Sequence, residues 1–190
     1  MSKLYWRFGP MNSGKSTNLL QAAFNYEERG QRVIIAKPSV DTKSDHVVSR
    51  LGVSSPVNWN VLPTTDIREL LAQETEPVNC ILVDEAQFLE PEQVEQLFYI
   101  TVMENIPVLA YGIRTDFATK AFPGSARLLE LAHSLEELKT ICRCGRKALL
   151  NGRKVNGVFV KEGEQVAIDG QEAEYESLCG HCYIKFVGWF

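Results

Sequence analysis

The octet Gly9-Pro10-Met11-Asn12-Ser13-Gly14-Lys15-Ser16 fits the pattern G-x-x-x-x-G-K-[ST]. It follows a short apolar run and precedes a helix-patterned stretch. Glycines at these positions let successive backbone N–H groups turn inward on phosphates. The lysine neutralises the β and γ oxygens, and the final hydroxyl serves Mg²⁺. A nucleoside triphosphate is the ligand this spacing predicts. Farther along, the apolar run Cys80-Ile81-Leu82-Val83 ends in Asp84-Glu85. An acidic residue at the carboxyl end of a buried strand is where phosphate-loop proteins complete the Mg²⁺ shell, so Asp84 is expected there. If the chain end stays extended, Glu85 points to the other side and is free to act as a base toward an acceptor; the alternative is a solvated or helix-capping charge.

Five cysteines are present, and four of them form two close pairs, Cys142-x-Cys144 and Cys179-x-x-Cys182, separated by 34 residues. Four thiolates in two pairs suit tetrahedral Zn²⁺, with free or redox-active thiols as the alternative. His181 lies inside the second pair, but the x-x spacing favours Cys182 as the ligand. Cys80, inside an apolar run, reads as a small core residue. Thr42-Lys43-Ser44-Asp45 imitates the guanine-recognition pattern [NT]-K-x-D, yet it precedes the acidic strand instead of following it, and is rejected. Phe88, Phe117 and Phe122 fall in loops where a crevice should open; they either pack the core or stack on a base.

The elements that must position these residues alternate. Leu4 to Phe8 reads as a strand, Thr17 to Arg29 as a helix stopped by Gly30, and Arg32 to Ala36 as a buried strand broken by Lys37-Pro38. Residues 39–55 are polar and irregular. A strand over Val57 to Leu62 follows, then a helix over Asp66 to Glu74 with Thr65 as its N-cap. The acidic strand, a helix over Pro91 to Glu104 and a strand over Pro107 to Tyr111 complete the pattern. Such alternation predicts an α/β fold with a helix-covered parallel sheet. After Leu138 the pattern changes to short β-like pieces, among them Gln165 to Ile168 and Tyr175 to Leu178. Two units are therefore expected, residues 1–138 and a smaller module over 139–190.

Composition bounds the function. The 190 residues are 45% hydrophobic and 23% charged, which is ordinary globular usage. A net charge of −4 argues against broad electrostatic binding of nucleic acid. The N-terminus lacks the apolar core of a signal peptide and no run approaches a membrane span, so a cytoplasmic protein without membrane contact is expected.

Taken together, the motifs resemble those of the type II thymidine kinases, the cytosolic zinc-containing class, and its bacterial branch in particular. Beyond the phosphate loop the resemblance is carried by Asp84-Glu85-Ala86-Gln87-Phe88, by Tyr111-Gly112-Ile113-Arg114-Thr115-Asp116-Phe117 and by Tyr175-Glu176-Ser177-Leu178-Cys179. It implies a RecA-like phosphate-loop sheet with a small zinc-binding β module. It also implies transfer of the ATP γ-phosphoryl group to the 5′-hydroxyl of thymidine, as in nucleoside salvage. Glu85 would be the general base, with Gln87 beside the loop residues and Asp84 on the ATP and Mg²⁺ side. Phe88, Phe117 and Phe122 would help enclose the nucleoside, with Ile113 also on the substrate side. Val166, Ala167, Ile168, Asp169, Gly170 and Tyr175 would form a loop that covers the thymine and reads it largely through backbone groups. Asp41 resembles an acidic residue of a loop after the second strand, in which Lys43 stands where many members have arginine. A homotetramer and feedback inhibition by dTTP are further implications. Two other readings suit the same residues: a nucleic-acid-stimulated ATPase with a zinc ribbon, and a non-enzymatic zinc module on a nucleotide-gated domain.

Overall fold

The computed structural model describes residues 1–39, 45–165 and 173–189. In chain order the elements are β1 (Leu4–Phe8), α1 (Lys15–Glu27), β2 (Val33–Pro38), β3 (His46–Val48), β4 (Ser54–Pro56), β5 (Trp59–Val61), α2 (Ile67–Ala72) and β6 (Cys80–Val83). They continue with a 3-10 turn (Ala86–Phe88), α3 (Pro91–Met103), β7 (Val108–Gly112), α4 (Pro123–Leu131), β8 (Ser134–Glu137), β9 (Leu150–Val155), β10 (Val158–Val160), β11 (Ala173–Leu178) and α5 (Gly180–Phe186).

Six strands form one sheet in the order β5-β2-β6-β7-β1-β8, every neighbour pair parallel. This is the helix-covered α/β sheet expected from the alternation. The continuous apolar runs are explained by burial on both faces, because successive side chains alternate across a strand. Leu4, Trp6, Ile34, Ala36, Ile81, Val83, Val108 and Ala110 join Val94, Leu97 and Ile100 of α3 and Leu128 of α4 on one face. Val33, Ile35, Cys80, Leu82, Leu109 and Tyr111 join Leu19, Leu20 and Ala23 of α1 on the other. Cys80 is thus a core residue, as its place in the run predicted.

Several boundaries differ from expectation. Helix α1 begins at Lys15, because the left-handed Gly14 serves as its N-cap. Strand β2 runs through Lys37 to Pro38, since Pro38 sits at the last register position opposite Val61, where its missing N–H is tolerated. Asp66, not Thr65, caps α2, accepting from the N–H groups of Arg68 and Glu69. Thr65 instead accepts from the N–H of Leu62 through its hydroxyl. Residues read as irregular include the antiparallel β3–β4 pair. Neither α4 nor β8 was foreseen. Strand β8, Ser-Leu-Glu-Glu, is polar and, among the described residues, pairs only with β1, where Arg7 Nε meets Glu136 Oε2 at 2.6 Å.

The last quarter folds as an antiparallel sheet, β10-β9-β11, with α5 against it. Its interior holds Cys142, Ala148, Leu150, Leu178, Cys179, Cys182 and Tyr183.

Candidate active site

The phosphate loop leaves the end of β1 and enters α1. Gly9 is required by close approach: a Cβ there would lie 2.3 Å from the carbonyl oxygen of Leu138 and 2.5 Å from Ser13 Oγ. Asn12 and Gly14 take left-handed backbone, with φ of 64° and 79°, which turns the chain around the space for an anion. Lys15 folds back over the loop, its Nζ donating to the carbonyls of Pro10 at 2.9 Å and Gly9 at 3.3 Å. Burial lowers the Lys15 pKa, against the attraction of the Glu85 and Asp84 carboxylates.

One strand, β7, separates β1 from β6, so Asp84 reaches the loop from across the sheet's carboxyl edge. Asp84 is buried. Desolvation first, then the adjacent Glu85, pushes its carboxyl up to about 7, against the pull of Lys37 and Lys15. A buried carboxylate that resists ionisation next to a lysine fits a cation site, because a divalent ion supplies the charge it lacks. Glu85 departs from the extended geometry expected. Its φ of 50° and ψ of 39° are left-handed, an unusual conformation for a non-glycine residue and one that clusters at functional sites. The chain turns sharply at Glu85, so the expected alternation of the two carboxylates along an extended chain end does not apply.

Glu85 is held in place. Gln87 Nε2 donates to Glu85 Oε2 at 2.5 Å, and Gln87 Oε1 accepts from the N–H of Ile113 at 3.2 Å. Gln87 is itself buried, beneath Gly112, where any Cβ would lie 2.4 Å from Gln87 Oε1. The 3-10 turn carrying both residues rests on α4 at Gly124, where a Cβ would lie 2.5 Å from the Leu89 carbonyl oxygen.

Beside this turn opens a cavity of about 220 Å³ lined by Met11, Glu85, Gln87, Phe88, Ile113, Asp116, Phe117, Phe122, Asn151, Gln165 and Tyr175. The structure therefore brings the three phenylalanines together with Glu85, Ile113 and Tyr175. Phe88 and Phe122 meet edge to face at 5.5 Å, and Phe117 and Phe122 are largely buried, so packing and cavity lining are combined. Gln87 faces this cavity through its contact with Glu85. Val166 to Gly170, expected to cover it, and Asp41 and Lys43 lie outside the described residues.

Sequence reasoning missed Asp116, Asn151, Arg153 and Gln165 as individual contributors. Asp116 Oδ1 closes its own turn by accepting from the N–H groups of Ala118 and Lys120, while Oδ2 accepts from Gln165 Nε2 at 3.1 Å. Buried Arg153 lies 3.7 Å over the Phe117 ring, and it donates to the Tyr175 hydroxyl and to the carbonyls of Glu164 and Gln165. Only Asp116 had a local signal, its place in the run from Tyr111 to Phe117.

The four late cysteines converge, with their sulfurs all within 4.8 Å of one another and Cys144 Sγ 3.6 Å from Cys179 Sγ. Zn–S bonds near 2.3 Å place tetrahedral sulfurs roughly 3.8 Å apart, so this set fits zinc. It is too open for a disulfide, whose sulfurs lie about 2.05 Å apart. Cys182, not the exposed His181, completes the group among the described residues. Burial opposes the Cys142 thiolate, but hydrogen bonds from the Cys144 and Cys179 backbone and from neighbouring thiols bring it down to about 7. Burial and the other three sulfurs push Cys182 up to about 12. One site thus favours the thiolate while its neighbour resists it, an imbalance that a bound cation removes.

The family model for thymidine kinase matches residues 2–183. The chain belongs to the thymidine kinase family. It is similar to a thymidine kinase of Legionella pneumophila, 48% identical over 94% of this chain and 88% of that one. The thymidine kinase of Enterobacteria phage T4 is 47% identical, covering 94% of each chain, and that of Colwellia psychrerythraea is 45% identical over the whole of both. The similarity therefore spans both the phosphate loop and the cysteine cluster of this family member. No described helix is long and apolar enough to cross a membrane.

Proposed function

We propose that the protein transfers the γ-phosphoryl group of ATP to the 5′-hydroxyl of thymidine, giving dTMP and ADP. The observation that carries this reading is the place of Glu85 in the wall of an aromatic-lined cavity while its carboxylate also acts on Lys15 of the phosphate loop. Asp84, buried and next to it in the chain, acts on Lys15 too but does not line that cavity. Asp84 and the Ser16 hydroxyl would hold Mg²⁺, which supplies charge neutralisation on the donor phosphates when bound. Lys15, already folded over the loop, turns its Nζ to the β and γ oxygens. Phe88, Phe117, Phe122 and Ile113 exclude water and flank the base, and Tyr175 lines the same cavity. Glu85 accepts the proton of the 5′-hydroxyl as its oxygen bonds to the γ-phosphorus and the bond to the β–γ bridging oxygen breaks. Gln87 keeps the Glu85 carboxylate oriented toward that hydroxyl.

The cysteines would hold zinc as a structural ion, making residues 139–190 a module whose strands bracket the covering loop. The family reading carries a cytoplasmic site of action, a homotetramer and dTTP feedback as further expectations.

A panel of nucleosides with ATP and Mg²⁺, read by product formation, tests the proposal: dTMP is expected from thymidine. ATP hydrolysis stimulated by single-stranded DNA with no nucleotide product would establish the ATPase reading instead. Binding of ATP without turnover on any nucleoside would establish the non-enzymatic one.

A further inference from the structure

Met11 sits in the middle of the phosphate loop, yet its peptide groups are engaged by the cysteine-closed sheet. Its N–H donates to Asn151 Oδ1 at 2.8 Å, and its carbonyl accepts from the Ser177 hydroxyl. Asn151 lies on β9 and Ser177 on β11, directly opposite each other in the antiparallel register, and both are buried. One cross-strand pair of the small sheet therefore grips the two peptides that flank Met11, in a loop more than 130 residues earlier in the chain. The very next residue, Asn12, takes the left-handed backbone at φ 64°, a conformation asparagine adopts more readily than most residues, so the chain turns directly after the gripped residue. Ser177 is two residues from Cys179, so the grip is anchored beside the metal-ligand cluster.

We propose that Asn151 and Ser177 are positioning residues for the donor, holding the peptides on either side of Met11 so that the loop is preset for phosphate before nucleotide arrives. The small sheet then serves the donor as well as the acceptor. With its N–H committed to Asn151, Met11 contributes no donor to the phosphates, and the cradle is formed by the N–H groups that follow it. The Met11 residue meanwhile lines the acceptor cavity, making this residue the junction of the two subsites. This assignment rests on the thymidine kinase reading only for the identity of the acceptor.

Ser177→Ala is the direct test, because Ser177 lines no described cavity and the hydroxyl's contact is with the loop. Affinity for ADP, measured without thymidine, should fall by up to roughly tenfold, as expected for a part-buried carbonyl left without its partner. KM for ATP should rise in step, with KM for thymidine unchanged. Amide exchange over Gly9 to Ser16 should quicken. Ser177→Thr, which keeps the hydroxyl, should restore ADP affinity. A lower melting temperature with ADP affinity unchanged would overturn the proposal, as would equal loss of ADP and thymidine affinity. Should Ser177→Ala fail to fold, ADP affinity of Asn151→Leu, again without thymidine, decides in the same sense. If the ADP effect appears but wild-type protein phosphorylates no thymidine, the loop assignment stands and the acceptor reading fails.

Discussion

The parallel sheet is packed on both faces by long apolar side chains, from Leu4 and Trp6 to Leu97 and Tyr111, whereas the antiparallel sheet encloses an interior in which three of seven buried residues are cysteines. The large core can hold a left-handed Glu85, a buried Asp84 and a tightly folded loop at its edge, because apolar burial supplies the stability such features cost. The small core has little apolar surface to spare. Metal–sulfur bonds are what would hold its strands, and those strands in turn grip Met11, while Tyr183 on α5 donates to the Phe117 carbonyl at 2.5 Å. One region tolerates strain, and the other would depend on a bound metal.

The largest effect expected from this contrast is that of metal removal. Structural zinc contributes an apparent 10–16 kcal/mol, roughly, in small zinc-dependent folds. Chelation, or Cys182→Ser, should abolish amide protection in Leu150–Val155 and Ala173–Leu178 and eliminate thymidine turnover. Protection in β6 and β7 should persist. Simultaneous loss in both sheets would show that the two regions are one cooperative unit.

Glu85→Gln comes next. The neutral side chain keeps an oxygen for Gln87 Nε2, so the turn should survive, while removal of a general base should lower kcat by roughly 10²- to 10⁴-fold. ADP affinity should be retained. Turnover near the wild-type value would remove Glu85 from the proton-accepting role.

Matched glycine substitutions sharpen the comparison at smaller scale. A Cβ at Gly112 would meet Gln87 Oε1 at 2.4 Å and Trp6 Cη2 at 2.9 Å, both deep in the packed edge of the parallel sheet. Gly112→Ala should cost about 1–3 kcal/mol by overpacking and should lower kcat by displacing Gln87 from Glu85. At Gly152 the nearest atom is Phe159 Cε1 at 2.6 Å, at the end of a partly exposed ring on strand β10 at the sheet edge. Gly152→Ala should cost less, as read by thermal unfolding, because a part-exposed edge ring yields more readily than buried Gln87 and Trp6, although buried Leu178 Cδ1 also stands at 3.0 Å.

The same contrast decides what was legible in the sequence. Cys80–Val83 was placed to the residue because burial on both faces leaves an uninterrupted apolar run. The cysteine cluster was legible because metal geometry constrains spacing. Strand β8 was hidden: its Ser-Leu-Glu-Glu sequence is polar, and its position comes from pairing with β1 and from Arg7. The backbone reversal at Glu85 left no mark, since no glycine or asparagine announces it. Asn151, Arg153 and Gln165 were invisible as site residues for a different reason. Their role comes from a sheet that brings residues far apart in the chain against Met11, Phe117 and Asp116, and no local pattern encodes that contact.

The smallest effect concerns the proton on Asp84. Its carboxyl is raised from an ordinary value near 3.8 to about 7 in the folded chain, chiefly by burial and then by Glu85. The folded state therefore holds this proton more tightly than the unfolded one. The stability it contributes is fully present below about 3.8 and declines as pH rises toward 7, with no further change above. A cation bound at Asp84 must displace the proton. Mg²⁺-dependent affinity for nucleotide should thus rise by up to about tenfold per pH unit below neutrality and level off above it, with proton release on binding. The nucleotide contributes its own protons, so the measurement is calorimetric proton release by wild type minus that by Asp84→Asn at pH 6 and at pH 8. A difference at the lower pH alone is expected. An equal release by both proteins at pH 6 would place the cation elsewhere and leave Asp84 as one more buried group that the large core tolerates.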